Sequence, residues 1–274
     1  MNRRQLLTCM AFGALSLKVN EANAQSYEAF DNLLNNINTD ELLKTASERE
    51  FQYRLLTIVE IQGVRENKSD SQISDRSVKL IKRFEVSSEQ NYISKLINPI
   101  WPGGDSGITI GIGYDIGYVS ARTFKNDWKD LLPQATISSL ESAAGKKAMA
   151  AKVLLSNYEN LEVPWDKAER QFAAFLPFVI GETETAFPNA RNFKSGDCRG
   201  ALTSLVYNRG SLVNSSDRRV EMLNIKNFMA SRQYEKIPAE IRHMKRLWQN
   251  SGLPGLIERR ELEALLFERG LEDE

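Results

Sequence analysis

From Ser120 to Phe267 apolar residues recur at the three-to-four-residue spacing of buried helix faces, as in Ala148 to Leu155, Ala168 to Ile180, Gly200 to Tyr207, Val220 to Phe228 and Leu256 to Phe267. In the whole chain only Ile108-Thr-Ile-Gly-Ile112 alternates with the two-residue period of a strand. This pattern predicts a mainly α (α+β) protein with one small β element near the front of its main domain. There is no internal repeat and no low-complexity tract. At 274 residues, with 42% apolar and 26% charged residues, the chain can build one sizeable core or a main domain with a small extension.

The β segment sits in an unusual setting. Ser74 or Asp75 caps a predicted helix carrying Val78, Ile81 and Phe84, and Glu85 lies only about 20° from Val78 on the helical wheel. A glutamate on the buried stripe costs energy to ionise, so its pKa is expected to be raised and its carboxyl to serve as a general acid. The turn-forming Pro102-Gly103-Gly104 follows, and then Thr109, Gly111, Gly113 and Asp115. The glycines let the backbone turn and a bulky substrate approach closely. Asp115 is expected to be exposed and ionised, and Thr109 to hydrogen-bond a water molecule. Each residue also has a plainer explanation: Glu85 as a helix-end acid paired with a basic side chain, Asp115 as a turn-stabilising aspartate, Thr109 as a β-former.

The ends of the chain differ from its middle. Met1-Asn-Arg-Arg4, the apolar run Gln5 to Leu17 and Ala22-Asn-Ala24 have the form of a cleaved export signal over residues 1–24. The run is too short to anchor the protein in a membrane. Arg3-Arg4 fits the twin-arginine or the general secretory route. Removal of this segment leaves 33 basic and 35 acidic side chains, a balance that argues against nucleic-acid binding. It also leaves Cys198 as the single cysteine, which excludes an internal disulfide. Residues 25–74 read as an acidic helical extension with a turn-rich linker at 66–72, suited to a protein partner or a lid. Residues 208–260 are strongly basic, read as a solvated face, a surface for the acidic extension, or a surface for an anionic polymer. The lone histidine, His243, excludes histidine-rich metal sites and reads as a surface or helix-capping residue.

Phe84-Glu85 followed by Gly107-x-Thr-x-Gly-x-Gly-Tyr-Asp115 resembles the active-site segment of phage-type lysozymes, in particular their pesticin-like muramidase branch. Ala201-Leu-Thr-Ser-Leu-Val-Tyr-Asn208-Arg-Gly210 is similar to the central core helix of that superfamily, and Gly255-Leu-Ile-Glu-Arg-Arg260-Glu-Leu-Glu263 to its C-terminal helix. The ordered set spans about residues 75–270. The resemblance implies a two-lobed, lysozyme-like helical domain over 75–274 with a small β-hairpin near its N-terminal side. It makes Glu85, Thr109 and Asp115 the catalytic residues, with Asp105 the alternative second carboxylate. Tyr114 stands where typical phage lysozymes have histidine. Tyr114, Asn208 and Arg209 are candidates for the substrate groove, whereas Arg259 and Arg260 are expected to serve folding through pairs with acids at helical spacing.

The function implied is an exported, periplasmic or secreted muramidase. It would cleave the β-1,4 bond between N-acetylmuramic acid and N-acetylglucosamine in peptidoglycan strands, as a monomer without cofactor or metal. A lytic transglycosylase, a hydrolase of another amino-sugar polymer and a non-catalytic glycan-binding protein are the alternatives.

Overall fold

The computed structural model describes residues 27–37, 67–103, 106–250 and 254–274. The export signal, most of the acidic extension and Asp105 lie outside these residues. The described residues fall in two units. In the first, a helix covers residues 27–36, with Phe30, Leu34 and Ile37 buried.

The second unit is mainly helical with a small antiparallel sheet, as the periodicity predicts. It opens with α1 (Asp75–Val86), capped by the Ser74 hydroxyl, which accepts from the Ser77 amide. Asp75 in the first turn and Arg83 in the last complement the helix dipole. The helix stops at Ser87, whose backbone turns to φ 68° while its N–H donates back to the Arg83 carbonyl. A short helix, α2 (Glu89–Asn91), runs into a wide π turn over Tyr92–Leu96.

The strand expected over 108–112 is one arm of a small hairpin, as the resemblance implies, made of β1 (Thr109–Ile110) and β2 (Tyr114–Asp115). Thr109 faces Asp115 and Ile110 faces Tyr114, while Ile100 pairs with Thr109 on its other side. Gly111 and Gly113 form the turn at φ +58° and +71°, where a side chain would be strained. A Cβ on Gly111 would also come within 3.0 Å of the Trp128 ring.

Five shorter and longer helices complete the frame before the C-terminus: α3 (Ala121–Trp128), α4 (Gln134–Leu140), α5 (Ala148–Leu154), α6 (Trp165–Ala186) and α7 (Gly196–Arg209). The ribbon, α3, α4 and the first half of α6 share one apolar cluster around Ile108, Ile110, Trp128, Leu140 and Phe172. After α7 come α8 (Val220–Ser231), α9 (Ile237–His243) and α10 (Pro254–Leu271). Helix α7 packs against α10, α1 and α6, and is buried nearly throughout from Asp197 to Arg209. Its small residues permit this: a Cβ on Gly200 would lie 1.7 Å from the Ser77 hydroxyl of α1. A helix enclosed on all faces cannot show a one-sided apolar stripe.

Two expectations need correction. The described part of the 66–72 linker is strapped onto α6: the Ser69 amide donates to the Pro177 carbonyl, and the Ser69 and Ser71 hydroxyls donate to Glu184 at 2.9 and 2.6 Å. Gly181 allows this approach, because a Cβ there would lie 1.7 Å from the Asn67 carbonyl. The basic run of 208–260 is a solvated face only in part, as at Arg232 and Lys236. Arg209, Arg219, Arg259 and Arg260 are buried, and Arg242, Lys245 and Arg246 are held in ion pairs. No helix among the described residues is long and apolar enough to cross a membrane.

Candidate active site

Glu85 sits one residue before the end of α1, and its side chain is 2% exposed. Residue 85 as a whole is partly accessible, so what remains exposed is its main chain. Its Oε1 accepts from Arg259 Nη1 at 3.2 Å, which joins α1 to α10 across 174 residues of sequence. The plainer explanation, an acid paired with a basic side chain, is therefore realised. The partner, however, belongs to a buried network that also holds Glu263, Arg260 and Ser204.

Arg259 also donates through Nε to Glu263 at 3.1 Å, and through Nη2 to the Ser204 carbonyl and hydroxyl at 3.0 and 3.1 Å. Arg260 approaches both oxygens of Glu263, at 3.0 Å and 2.8 Å, and donates to Asn208 Oδ1 at 3.1 Å. Ser204 donates to Glu263 at 2.6 Å. Two carboxylates thus face two guanidiniums, which is how buried charges avoid an unbalanced desolvation cost. Burial pulls the Arg259 guanidinium below its ordinary pKa, opposed by Glu263. The helical spacing of Arg259 and Arg260 to Glu263 matches the expected folding role. The contact of Arg259 with Glu85 adds a positioning role that no local spacing could reveal.

Asp115 corrects the expectation of an exposed carboxylate. It is 8% exposed, and both of its oxygens accept from the Gly107 amide at 3.1 and 3.0 Å, with Oδ1 also taking the Gly117 amide at 2.8 Å. It caps a 3-10 turn at Ile116–Tyr118. The loop has closed tightly around it: a Cβ on Gly107 would meet Asp115 Oδ1 and Gly117 Cα at 2.4 Å each. Thr109, directly opposite, is also buried, with its backbone exchanging hydrogen bonds with Ile100 at 2.8 and 3.0 Å.

The three groove candidates are likewise interior. Tyr114 packs edge-on against Trp128 and donates its hydroxyl to Asp127 at 2.6 Å. Asn208 is engaged by Arg260, and Arg209 lies over the Trp248 ring and donates to the Arg218 carbonyl. Their partners come from other elements, which local spacing does not show. Neighbouring Arg219 is also buried, and desolvation aided by Arg218 lowers its pKa to about 10.

Tyr207, unmarked in the sequence reading, connects the two halves of the site. Its hydroxyl donates to the Ile112 carbonyl in the ribbon turn at 3.0 Å, three residues beyond Ser204 on α7. The ribbon carrying Thr109 and Asp115 is thereby tied to the same stretch of α7 that holds Arg259. His243 is exposed at the end of α9, 3.6 Å from Glu240, as a surface histidine should be. Among the described residues, no group of three histidine, cysteine or acidic side chains could hold a metal ion.

No curated protein matches the chain. A sequence-family profile described as a domain of unknown function (DUF8812) matches residues 83–184. That span contains Glu85, the ribbon and nearly all of α6, whereas Arg259 and Glu263 lie beyond it.

Proposed function

We propose that this protein is an exported muramidase that hydrolyses the β-1,4 bond between N-acetylmuramic acid and N-acetylglucosamine. One observation carries the reading: a buried glutamate, Glu85, ends the helix before a small glycine-turned ribbon and is held by an arginine that has a second acid of its own. When Glu85 takes up a proton, Arg259 keeps its bond to Glu263, which then faces both buried guanidiniums. A general acid must be stable in both protonation states.

In the reaction, Glu85 gives its proton to the glycosidic oxygen as the bond to the anomeric carbon breaks. Water adds at that carbon and releases a proton, restoring the balance. Thr109 supplies a hydroxyl beside the path of the water, and Asp115 acts chiefly by bracing the loop that carries it.

The engagement of Asp115 by backbone amides also favours a second reading, lytic transglycosylase chemistry. That reaction needs one acid, because a hydroxyl of the cleaved sugar closes on its own anomeric carbon. Mass spectrometry of purified peptidoglycan after digestion separates the two: reducing ends mean hydrolysis and anhydro ends mean transglycosylation. Glu85→Gln is expected to lower product release about 10²–10⁴-fold with the fold retained by circular dichroism. Wild-type rates in that variant would overturn Glu85 as the acid, and a wild-type protein that releases no sugar would sink both readings.

A further inference from the structure

Among the described residues three large apolar side chains are exposed, and two of them stand one turn apart on α5: Met149 at 62% and Val153 at 69%. On the helical wheel each lies about 160° from Ala151, the residue through which α5 is buried. The pair therefore points straight away from the core. Apolar residues exposed singly are ordinary, whereas a pair on one outer arc marks a surface made for contact.

Three lysines rim the pair, Lys146 and Lys147 in the turn before α5 and Lys152 within it. Residues 142–158 carry these three cations and no acid. Arg242, Lys245 and Arg246 are held by acids, but the three lysines have no carboxylate partner among the described residues. What they touch is aromatic: Lys147 Nζ stands 4.5 Å over the Tyr118 ring and Lys152 Nζ 5.3 Å over the Trp101 ring. Such contacts orient a lysine without neutralising it. The patch is also fixed in place. The Gly145 amide donates to the Ile116 carbonyl at 3.3 Å and the Ala148 amide to the Ser106 carbonyl at 3.0 Å. A Cβ on Gly117 would lie 2.6 Å from the Lys146 carbonyl, so this turn is seated on the loop around Asp115.

Charge and polarity together select the occupant. Uncompensated lysines call for negative charge, and the protruding Met149 and Val153 call for an apolar phase. One face of a seven-residue helix is too small for a specific protein interface, which takes roughly 800 Å² from each partner. A dissolved anionic polymer would engage the lysines and leave the apolar pair in water. An anionic bilayer offers phosphates at the level of the lysines and acyl chains just beneath them.

We propose that the outer face of α5 is a peripheral docking surface for an anionic lipid bilayer, with Met149 and Val153 entering the interface and the three lysines at the headgroups. The proposal is independent of the muramidase reading. Docking through this face would hold the ribbon loop close to the membrane.

The test is flotation of the full protein with vesicles of phosphatidylglycerol and phosphatidylcholine in equal parts, and with phosphatidylcholine alone. The protein is expected to float with the anionic vesicles only, and to be released as salt is raised. Changing Lys146 and Lys152 to Gln should weaken binding about five-fold for each lysine. Met149→Ser should weaken it about ten-fold. Hydrogen exchange on the vesicles should slow over residues 145–154. No flotation with anionic vesicles, equal flotation with neutral ones, or affinity unchanged in these variants overturns the proposal. Protection confined to residues outside 145–154 overturns it too, since another segment would then meet the bilayer. If the lysine changes abolish binding while Met149→Ser floats as wild type, the contact is electrostatic adsorption and the inserted face falls. Binding of polyglutamate through these lysines, without vesicle binding, would assign the face to an acidic protein instead.

Discussion

Glu85 and Asp115 are both buried acids at the ends of short elements, yet they are held in opposite ways. Asp115 is wrapped by the backbone amides of Gly107 and Gly117, donors fixed by the loop's own covalent path. Glu85 accepts from a guanidinium that is itself shared with Glu263. Amide donors stabilise only the charged carboxylate and cannot rearrange, so Asp115 is suited to fixing a loop. A guanidinium also favours the charged carboxylate, but this one keeps a second acid in Glu263, and the proposed acid role of Glu85 depends on that sharing.

The comparison is most severely tested at Glu263. Glu263→Gln should destabilise the protein by about 3–5 kcal/mol in denaturant unfolding, because it leaves Arg259 and Arg260 with too little buried counter-charge. Glu85→Gln should cost clearly less, since Arg259 keeps Glu263. Equal losses would mean that the network does not share charge as described. The loop provides the next test. Asp115→Ala leaves the Gly107 and Gly117 amides without their acceptor and is expected to cost about 2–4 kcal/mol, with glycan cleavage by the remaining folded protein reduced only modestly. Abolished cleavage in a stably folded variant would return Asp115 to the chemistry. The smallest effect is expected for Tyr114→Phe, which removes the hydroxyl bonded to Asp127 but keeps the packing on Trp128. It should lower stability by about 1 kcal/mol without changing the KM for peptidoglycan. A raised KM would place Tyr114 in the groove.

Much of the molecule can be read from local patterns. The Ser74 cap, the amphipathic spacing of α1 and the glycine turn at 111–113 follow from propensities that act over a few residues. The pairs of Arg259 and Arg260 with Glu263 are legible for the same reason, being three and four residues apart on one helix. Alternation marks only the first strand of the hairpin that the resemblance implies, because Tyr114 and Asp115 are too few to show a period and become a strand by pairing with β1. The basic run of 208–260 misled because charge counting cannot distinguish an exposed lysine from an arginine enclosed by distant acids. Asn208 and Arg209 turned inward for a related reason: α7 is surrounded by α1, α6 and α10, leaving no outer face for a groove.

Local patterning specifies the helical class, the place of the small β element and the presence of an acid at the end of α1. These depend on side-chain periodicity and backbone preference within one or two turns. The meeting of Glu85 with Arg259 from α10, the tie of Tyr207 between the ribbon turn and α7, and the closing of a loop around Asp115 arise only once the chain is folded. The physical reason is that the cost of burying a charge or a carbonyl depends on which partners the fold brings to it, and those partners lie as far as 174 residues away along the chain.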